Sequence, residues 1–301
     1  MSHWPNLFIA GAPRCGTTSL HAYLQDVPGI YMSRVKEPNY FSRSVIGDKH
    51  PMMKPIRDEK RYLQLFSGAG DAKVIGEATP FYLEDPEAPT LIDRTVPDAK
   101  VIVSLRDPVE RLYSHYLMMR NNRPSMGSFM EEIRRGLLLL GNRRNLAVLA
   151  PATGLYSRHV ERYRRVFGEN RFKVIILEEW RDNVPRTLRQ ILAFLEIKHD
   201  VREFAEPPQR RYSEARGPVV RYLFGNRTIS RASEVLIPYR LRKRIRNAIL
   251  VKHVPKPPME PEAREFLIGY YWEDVRRLER MLGRRLPWRN FALREETRQA
   301  G

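Results

Sequence analysis

Among its 301 residues the chain has a single cysteine, Cys15, so no internal disulfide can form and nothing in the composition argues for an oxidising compartment. No apolar run approaches the ~18 residues needed to span a bilayer. The first expected strand begins about five residues after Met1, an arrangement without room for a leader or anchor, and the expected location is the cytoplasm. Acidic residues are in deficit: 35 Asp and Glu stand against 53 Lys and Arg, a formal net charge of +18. That field concentrates anions, whether a phosphorylated cofactor, an acidic glycan, a nucleic acid or a lipid surface, and does not choose among them. A hydrophobic share of 42% with moderate Gly and Pro excludes a disordered or collagen-like chain.

One more absence is local. The stretch GAPRCGTTSL, residues 11–20, has the two glycines separated by four residues that mark a nucleotide-binding phosphate loop, yet Thr17 stands where such a loop carries lysine. The apolar run at 6–11 reads as a buried strand, and 17–25 reads as a helix opening on hydroxyl residues able to cap it. Backbone N–H groups around Gly16, Thr17 and Thr18, flanked by Cys15 and Ser19, would cradle a tetrahedral anion at the helix N-terminus, with Arg14 and the threonine hydroxyls as side-chain donors. An ordinary tight turn is the bland alternative. The missing lysine narrows the anion, because a nucleoside triphosphatase needs that lysine and Mg²⁺ at a highly charged γ-phosphoryl group. A sulfuryl group carries less negative charge and can be transferred among hydrogen-bond donors alone.

Further strands are expected at 73–78, 100–105 and 172–177, and helices at 108–119, 128–140, 156–167, 184–195 and 264–282, the last ending at Gly283. Alternation of this kind implies an α/β fold, a mostly parallel sheet with helices on both faces and its ligand at the carboxyl ends of the strands. From about Arg210 the chain becomes arginine-rich. We expect a single domain over 1–301, with an α/β core at 1–209 and a helical C-terminal lobe at 210–301.

Three segments resemble the sulfotransferases that use 3′-phosphoadenosine 5′-phosphosulfate (PAPS). GAPRCGTTSL resembles that family's 5′-phosphosulfate loop, VIVSLRDPVERLYSHY (101–116) its 3′-phosphate element, and VKEPNYF (35–41) a segment of the branch holding bacterial and heparan-sulfate-type enzymes. The later GLYSRHVERYRRVFGENRFKVIILEEW and LERMLGRRLPW also look like bacterial members. The resemblance implies the P-loop-containing nucleotide hydrolase-like fold of sulfotransferases, PAPS as co-substrate, adenosine 3′,5′-bisphosphate as product, and no metal.

It also implies roles for particular residues. Arg106 and Ser114 would bind the 3′-phosphate; the alternative pairs Arg106 with Asp107 or Glu110. Glu37 would be the catalytic base, held extended by Pro38, with Lys36 and Arg14 stabilising charge on the leaving phosphate; a solvated turn is the alternative, and His21 and His115 are rival bases. Tyr40 and Phe41 would anchor that segment. In IGEATPFYL (75–83), Ala78 replaces a family lysine, leaving Thr79 as a remaining donor, and Glu77 would orient Arg14 or a substrate or form an ion pair behind the site. Tyr156 would reach the cofactor phosphate, and Tyr212, Ser213 and Arg216 would lie in a loop closing over the adenosine.

The expected activity is transfer of the PAPS sulfuryl group onto a hydroxyl or amine of a small-molecule, glycan or lipid-linked acceptor. The charge favours an anionic acceptor and allows peripheral membrane contact. Two other readings remain: a small-molecule kinase with the same loop, disfavoured by Thr17, and a basic protein of nucleic acids or membrane surfaces. The arginine-rich 210–246 supports the latter, but lacks the interleaved aromatics of a base-stacking platform.

Overall fold

A computed structural model describes residues 4–45, 55–123, 125–139, 149–199, 213–215, 251–253 and 255–292. Its centre is a sheet of five strands, β1 (Leu7–Gly11), β2 (Ile30–Met32), β3 (Val74–Ala78), β4 (Lys100–Leu105) and β5 (Phe172–Ile176), in the order β2-β3-β1-β4-β5. Every pairing in this sheet is parallel. A separate antiparallel pair joins β6 (Ser213–Ala215) to β7 (Val251–His253).

Strand alternation explains the layers. In β1, Phe8 and Ala10 face one hydrophobic core while Leu7 and Ile9 face the other, as period-two side chains on a twice-covered sheet must. The second core is closed by α1 (Thr17–Gln25), α7 (Leu177–Asp182) and α8 (Val184–Phe194), through residues such as Leu20, Leu24, Trp180 and Leu188. The first is closed by α3 (Ala88–Thr95), α4 (Pro108–Asn122), α5 (Phe129–Leu138), α6 (Tyr156–Arg171) and α9 (Pro261–Leu282). A short helix, α2 (Glu59–Leu63), adds Tyr62 to that core.

Chain direction across the sheet sets the site. From β1 the chain runs outward to β2, returns to β3, then crosses to β4 on the other side of β1. The connections after β1 and β4 therefore diverge at their carboxyl ends and leave the crevice where ligands of open α/β sheets bind.

Most expected elements are present, with shifted ends. Residue 177 begins α7 instead of ending β5, and α9 opens at Pro261, three residues earlier than its apolar period indicates, because Pro is favoured in a first turn. Helix α4 runs to Asn122, and Ser128 is the N-cap of α5, in a capping box with Glu131. Strand β2 was not expected: three residues carry no readable alternation, and its register comes from pairing with Val74, Ile75 and Gly76.

The C-terminal segment is tied to this core by polar bonds as well as by packing. Asp107 caps α4 by accepting from the amides of Val109 (2.9 Å) and Glu110 (3.3 Å), and its other oxygen accepts from the Asn290 side chain at 2.7 Å. Burial pushes the Asp107 carboxyl up to about 6, against the pull of Asn290. Asn290→Ala leaves that oxygen without its donor, so we expect a loss of about 1–3 kcal/mol in denaturant unfolding. Because ionising Asp107 in place becomes costly as pH rises through about 6, the loss should be larger near pH ~8 than near pH ~5.

Candidate functional site

The turn between β1 and α1 is shaped by close packing. Gly16, at φ +81°, is the N-cap of α1, and no side chain caps the helix. A Cβ at Gly16 would lie 2.5 Å from Trp180 Cζ2 and 2.8 Å from Leu177 Cδ1, so neither a side chain nor an ordinary backbone conformation fits. The expectation that threonine hydroxyls cap α1 is therefore corrected. Gly16 accepts the amides of Ser19 and Leu20 at 2.9 and 3.0 Å, and Cys15 donates to Ala12. The N–H groups of Gly16, Thr17 and Thr18 find no acceptor among the described residues. Three unspent donors at the positive end of a helix are chemically suited to accept an anion.

Supports lie on both sides of this turn. Ser104, in β4, donates its hydroxyl to the Cys15 carbonyl at 2.6 Å, and the Trp180 indole donates to Ser104 Oγ at 3.3 Å. Cys15 itself is fully buried, its Sγ 3.9 Å from the Tyr156 phenol oxygen. Burial pushes the thiol up to about 11, with Arg111 and Arg106 pulling the other way.

Arg14 leaves the turn at φ +70° and reaches α4, where its Nε and Nη2 each lie 3.2 Å from Ser114 Oγ. The structure thus joins Ser114 to Arg14. Arg106, just past β4, lies 3.7 Å from Glu110, with Lys256 at 2.6 Å and Arg264 at 3.5 Å from the same carboxylate. Burial opposes the charge on Glu110, but these three cations hold its carboxyl below the usual range.

Lys36 and Glu37 lie beside the carboxyl end of β3. Their side chains pair at 2.7 Å, and the Glu37 amide donates to the Ala78 carbonyl at 3.0 Å. Glu37 is not extended: its φ is +62°. The reason is local hydrogen bonding, since the Glu37 carbonyl accepts the Asn39 side-chain amide at 2.7 Å while its N–H is held by β3. Those bonds outweigh the steric preference imposed by Pro38. Among the described residues, the non-glycine positions with positive φ are Arg14, Glu37, Asn39 and Glu196, and three of them border this crevice. Strain of about 1–3 kcal/mol per residue is characteristically stored at functional sites.

The aromatic support of this segment is extensive. Tyr40 and Phe41 are buried, and Tyr40 stacks on Tyr62 with centroids 4.1 Å apart. Behind them Glu77 is wholly buried and accepts from Tyr62 (2.6 Å), Thr79 (2.6 Å) and Tyr82 (2.9 Å). Glu77 therefore orients neither Arg14 nor a substrate; three hydroxyls satisfy it, and burial raises its carboxyl. The Thr79 hydroxyl is committed to Glu77 and is no donor toward the crevice. Ala78 is fully buried in the second core.

Neither histidine offered as a rival base is suited to that work: His21 is buried and His115 half-buried. His21 Nε2 lies 3.0 Å from the Ser33 carbonyl, with burial lowering its affinity for a proton, and burial pushes His115 down to about 3. Tyr156 is fully buried beneath the turn. Tyr212, Arg216 and 217–246 lie outside the described residues, and Ser213 is described only as the start of β6. Ser104, Trp180 and Asn290 were missed by sequence reading. Ser104 looked like one more residue of an apolar strand, and no spacing links positions 180 and 290 to the loop. Among the described residues, no group of three or more His, Cys, Asp and Glu side chains could hold a metal ion, and no helix is long and apolar enough to cross a membrane.

Comparison with known proteins adds three findings. The family model described as "Sulfotransferase domain" matches residues 5–213, more than half of the chain. Human carbohydrate sulfotransferase 15 is 30% identical over 248 residues, covering 64% of this chain and 44% of that protein. The mouse bifunctional heparan sulfate N-deacetylase/N-sulfotransferase 4 is 26% identical over 299 residues, covering 95% of this chain and 31% of that protein. The chain thus spans less than half the length of these curated relatives. Among solved structures, a sulfotransferase from Alicyclobacillus acidocaldarius superposes with a TM-score of 0.73 at 29% identity, covering 95% of this chain and 99% of that one.

Two outcomes follow from the geometry of the turn. Gly16→Ala should lower stability by about 1–3 kcal/mol in thermal or denaturant unfolding, since the new methyl meets Trp180 in a conformation alanine resists. Alkylation of Cys15 in the native protein should be slow at neutral pH, accelerate only as pH approaches about 11, and become fast on unfolding; mass spectrometry after timed iodoacetamide treatment reads this directly.

Proposed function

The chain belongs to the sulfotransferase domain family, and on that footing we propose that it transfers the sulfuryl group of PAPS onto a hydroxyl or amine of a carbohydrate acceptor. The observation that carries this reading is the unspent trio of amides at Gly16, Thr17 and Thr18, opening beside Arg14 at the carboxyl end of β1. The printed names of the relatives, a carbohydrate sulfotransferase and a heparan sulfate enzyme, support a glycan acceptor. So does the excess of basic residues, which suits an anionic one.

The residues present fit PAPS. The amides and Arg14 would hold the 5′-phosphosulfate, with Cys15 and Ser19 contributing backbone to the same turn. Arg106 and Ser114 would hold the 3′-phosphate, each shedding a present partner to do so: Arg106 is held by Glu110 and Ser114 by Arg14. PAPS supplies an activated sulfuryl group whose S–O bond to the 5′-phosphate breaks as the acceptor oxygen or nitrogen bonds to sulfur. Glu37 would take the acceptor proton, and its carboxylate is part-exposed and able to meet an incoming group. Lys36, now on that carboxylate at 2.7 Å, would turn to the oxygen that inherits negative charge. With Ala78 in place of the family lysine, Lys36 and Arg14 are the cations left for this role. Tyr156, sealed under the turn, would act on the cofactor side only through Cys15, and Arg216 is proposed from the sequence resemblance alone.

A kinase reading has less support: no lysine follows Gly16 in the turn, and the Thr17 side chain is buried. Incubation with labelled PAPS and a panel of glycans, lipids and phenols tests the proposal. We expect a sulfated glycan and adenosine 3′,5′-bisphosphate. Glu37→Gln should reduce kcat by about 100-fold or more with nearly unchanged affinity for the bisphosphate. Arg106→Ala should weaken that affinity by about tenfold or more, the cost of a charge-assisted contact. Absence of bisphosphate binding by the wild-type protein, or full activity in Glu37→Gln, would overturn the corresponding assignment.

A further inference from the structure

Arg111 is 1% exposed and lies in α4, one helical turn before Ser114 and therefore on the same face. Ser114 holds Arg14 of the phosphate loop, so Arg111 sits deeper beneath the same turn. Its Nη2 donates to Thr153 Oγ1 at 2.6 Å, the guanidinium also hydrogen-bonds the Tyr271 phenol, and its Nε has no acceptor among the described residues. It forms no ion pair with any described carboxylate. A guanidinium does not lose its proton in a protein, and a buried charge without a counter-charge is expensive.

The groups around it favour its charge over the cost of burial, yet they bring little formal negative charge near neutral pH. Cys15, the Tyr156 phenol beside it and Tyr271 are neutral by burial. His115 of α4 and His159 of α6 are each pushed down to about 3 by burial, with Arg111 adding to the effect. The carboxyl whose charge acts on Arg111 is that of Glu84. Burial pushes it up to about 7, with Arg111 and Arg158 pulling the other way, so near neutral pH it is only partly ionised. The field of Arg111 is directed instead at the turn, where it and Arg106 are the two cations acting on Cys15.

We propose that Arg111 is an electrostatic positioning residue of the phosphate loop: its buried, unpaired guanidinium is the fixed counter-charge of an anion held by the amides of Gly16 to Thr18, which it does not touch. The assignment rests on the reading of the loop as an anion site. It implies that the ligand-free protein carries a charge that neutral hydrogen-bond partners and a partly ionised Glu84 compensate only in part, that the bound anion neutralises it, and that Glu84 competes with the anion for it whenever Glu84 is ionised.

Calorimetric titration with adenosine 3′,5′-bisphosphate, paired with thermal unfolding of the ligand-free proteins, tests this. We expect Arg111→Met to bind about tenfold more weakly while melting, ligand-free, no lower than wild type, because an apolar residue replaces an unpaired buried charge. Arg111→Lys, which keeps the charge, should retain most of the affinity. Glu84→Gln should bind as wild type does near pH ~5.5 and several-fold more tightly near pH ~8.5, where wild-type Glu84 is ionised. Comparing the two proteins at each pH removes the ligand's own titration.

Equal affinity in Arg111→Met and wild type overturns the proposal. So do equal losses in Arg111→Met and Arg111→Lys, or a ratio for Glu84→Gln that stays at one across the pH range. If Arg111→Met does not fold, the Glu84→Gln series decides alone. Failure of the wild type to bind the bisphosphate rejects the loop assignment itself, an outcome distinct from binding that ignores Arg111.

Discussion

The hydrogen bond from the Ser104 hydroxyl to the Cys15 carbonyl is the constraint on which the crevice depends. It spends the carbonyl that would otherwise be free to accept from the start of α1, and it fastens the turn to the neighbouring strand β4. Trp180 makes the bond directional, donating to Ser104 Oγ while its ring closes against Gly16. With Cys15 fixed and Gly16 forced to positive φ, α1 begins with its first amides aimed away from the protein. A helix N-terminus ordinarily satisfies those groups with a side chain. Here the sheet and an indole from α7 hold the turn open.

Polar groups around the turn are divided by depth. Cations near the mouth have partners they can exchange: Arg14 with Ser114, Arg106 with Glu110, and Lys36 with Glu37. Acids and hydroxyls deeper in the fold are saturated, as Glu77 is by three hydroxyls and Asp107 by two amides and Asn290. The proposed anion affinity accords with that division, because the charges at the mouth, among the described residues, are positive or paired with a positive group. Strain follows it too: Arg14, Glu37 and Asn39 hold left-handed conformations.

Much of this was legible in the chain itself. Runs such as KVIVSL and the loop GAPRCGTTSL announce a strand and a phosphate turn because their signal is local, in apolar period and glycine spacing. RDPVERLYSHY likewise carries its cap, Asp107 before Pro108, and its helix. What could not be read depends on pairs distant in sequence. Ser104 and Trp180 act on Cys15 across the sheet, Glu77 meets Tyr62 from another element, and the backbone of Glu37 obeys β3 and Asn39 more than the proline that follows it. Capping of α1 was misread for the same reason: Thr17 and Thr18 look like caps until Trp180 is seen against Gly16.

Asn290 reaches back 183 residues to the carboxylate that starts α4. On a ribosome, where domains form as the chain emerges, the strands, the phosphate turn and α4 are all synthesised well before that side chain exists. The first turn of α4, which carries Glu110 and leads to Ser114, thus acquires its buried amide partner only after 183 further residues have been made. Synthesis order lets the start of α4 reach its final geometry later than the strands that frame it.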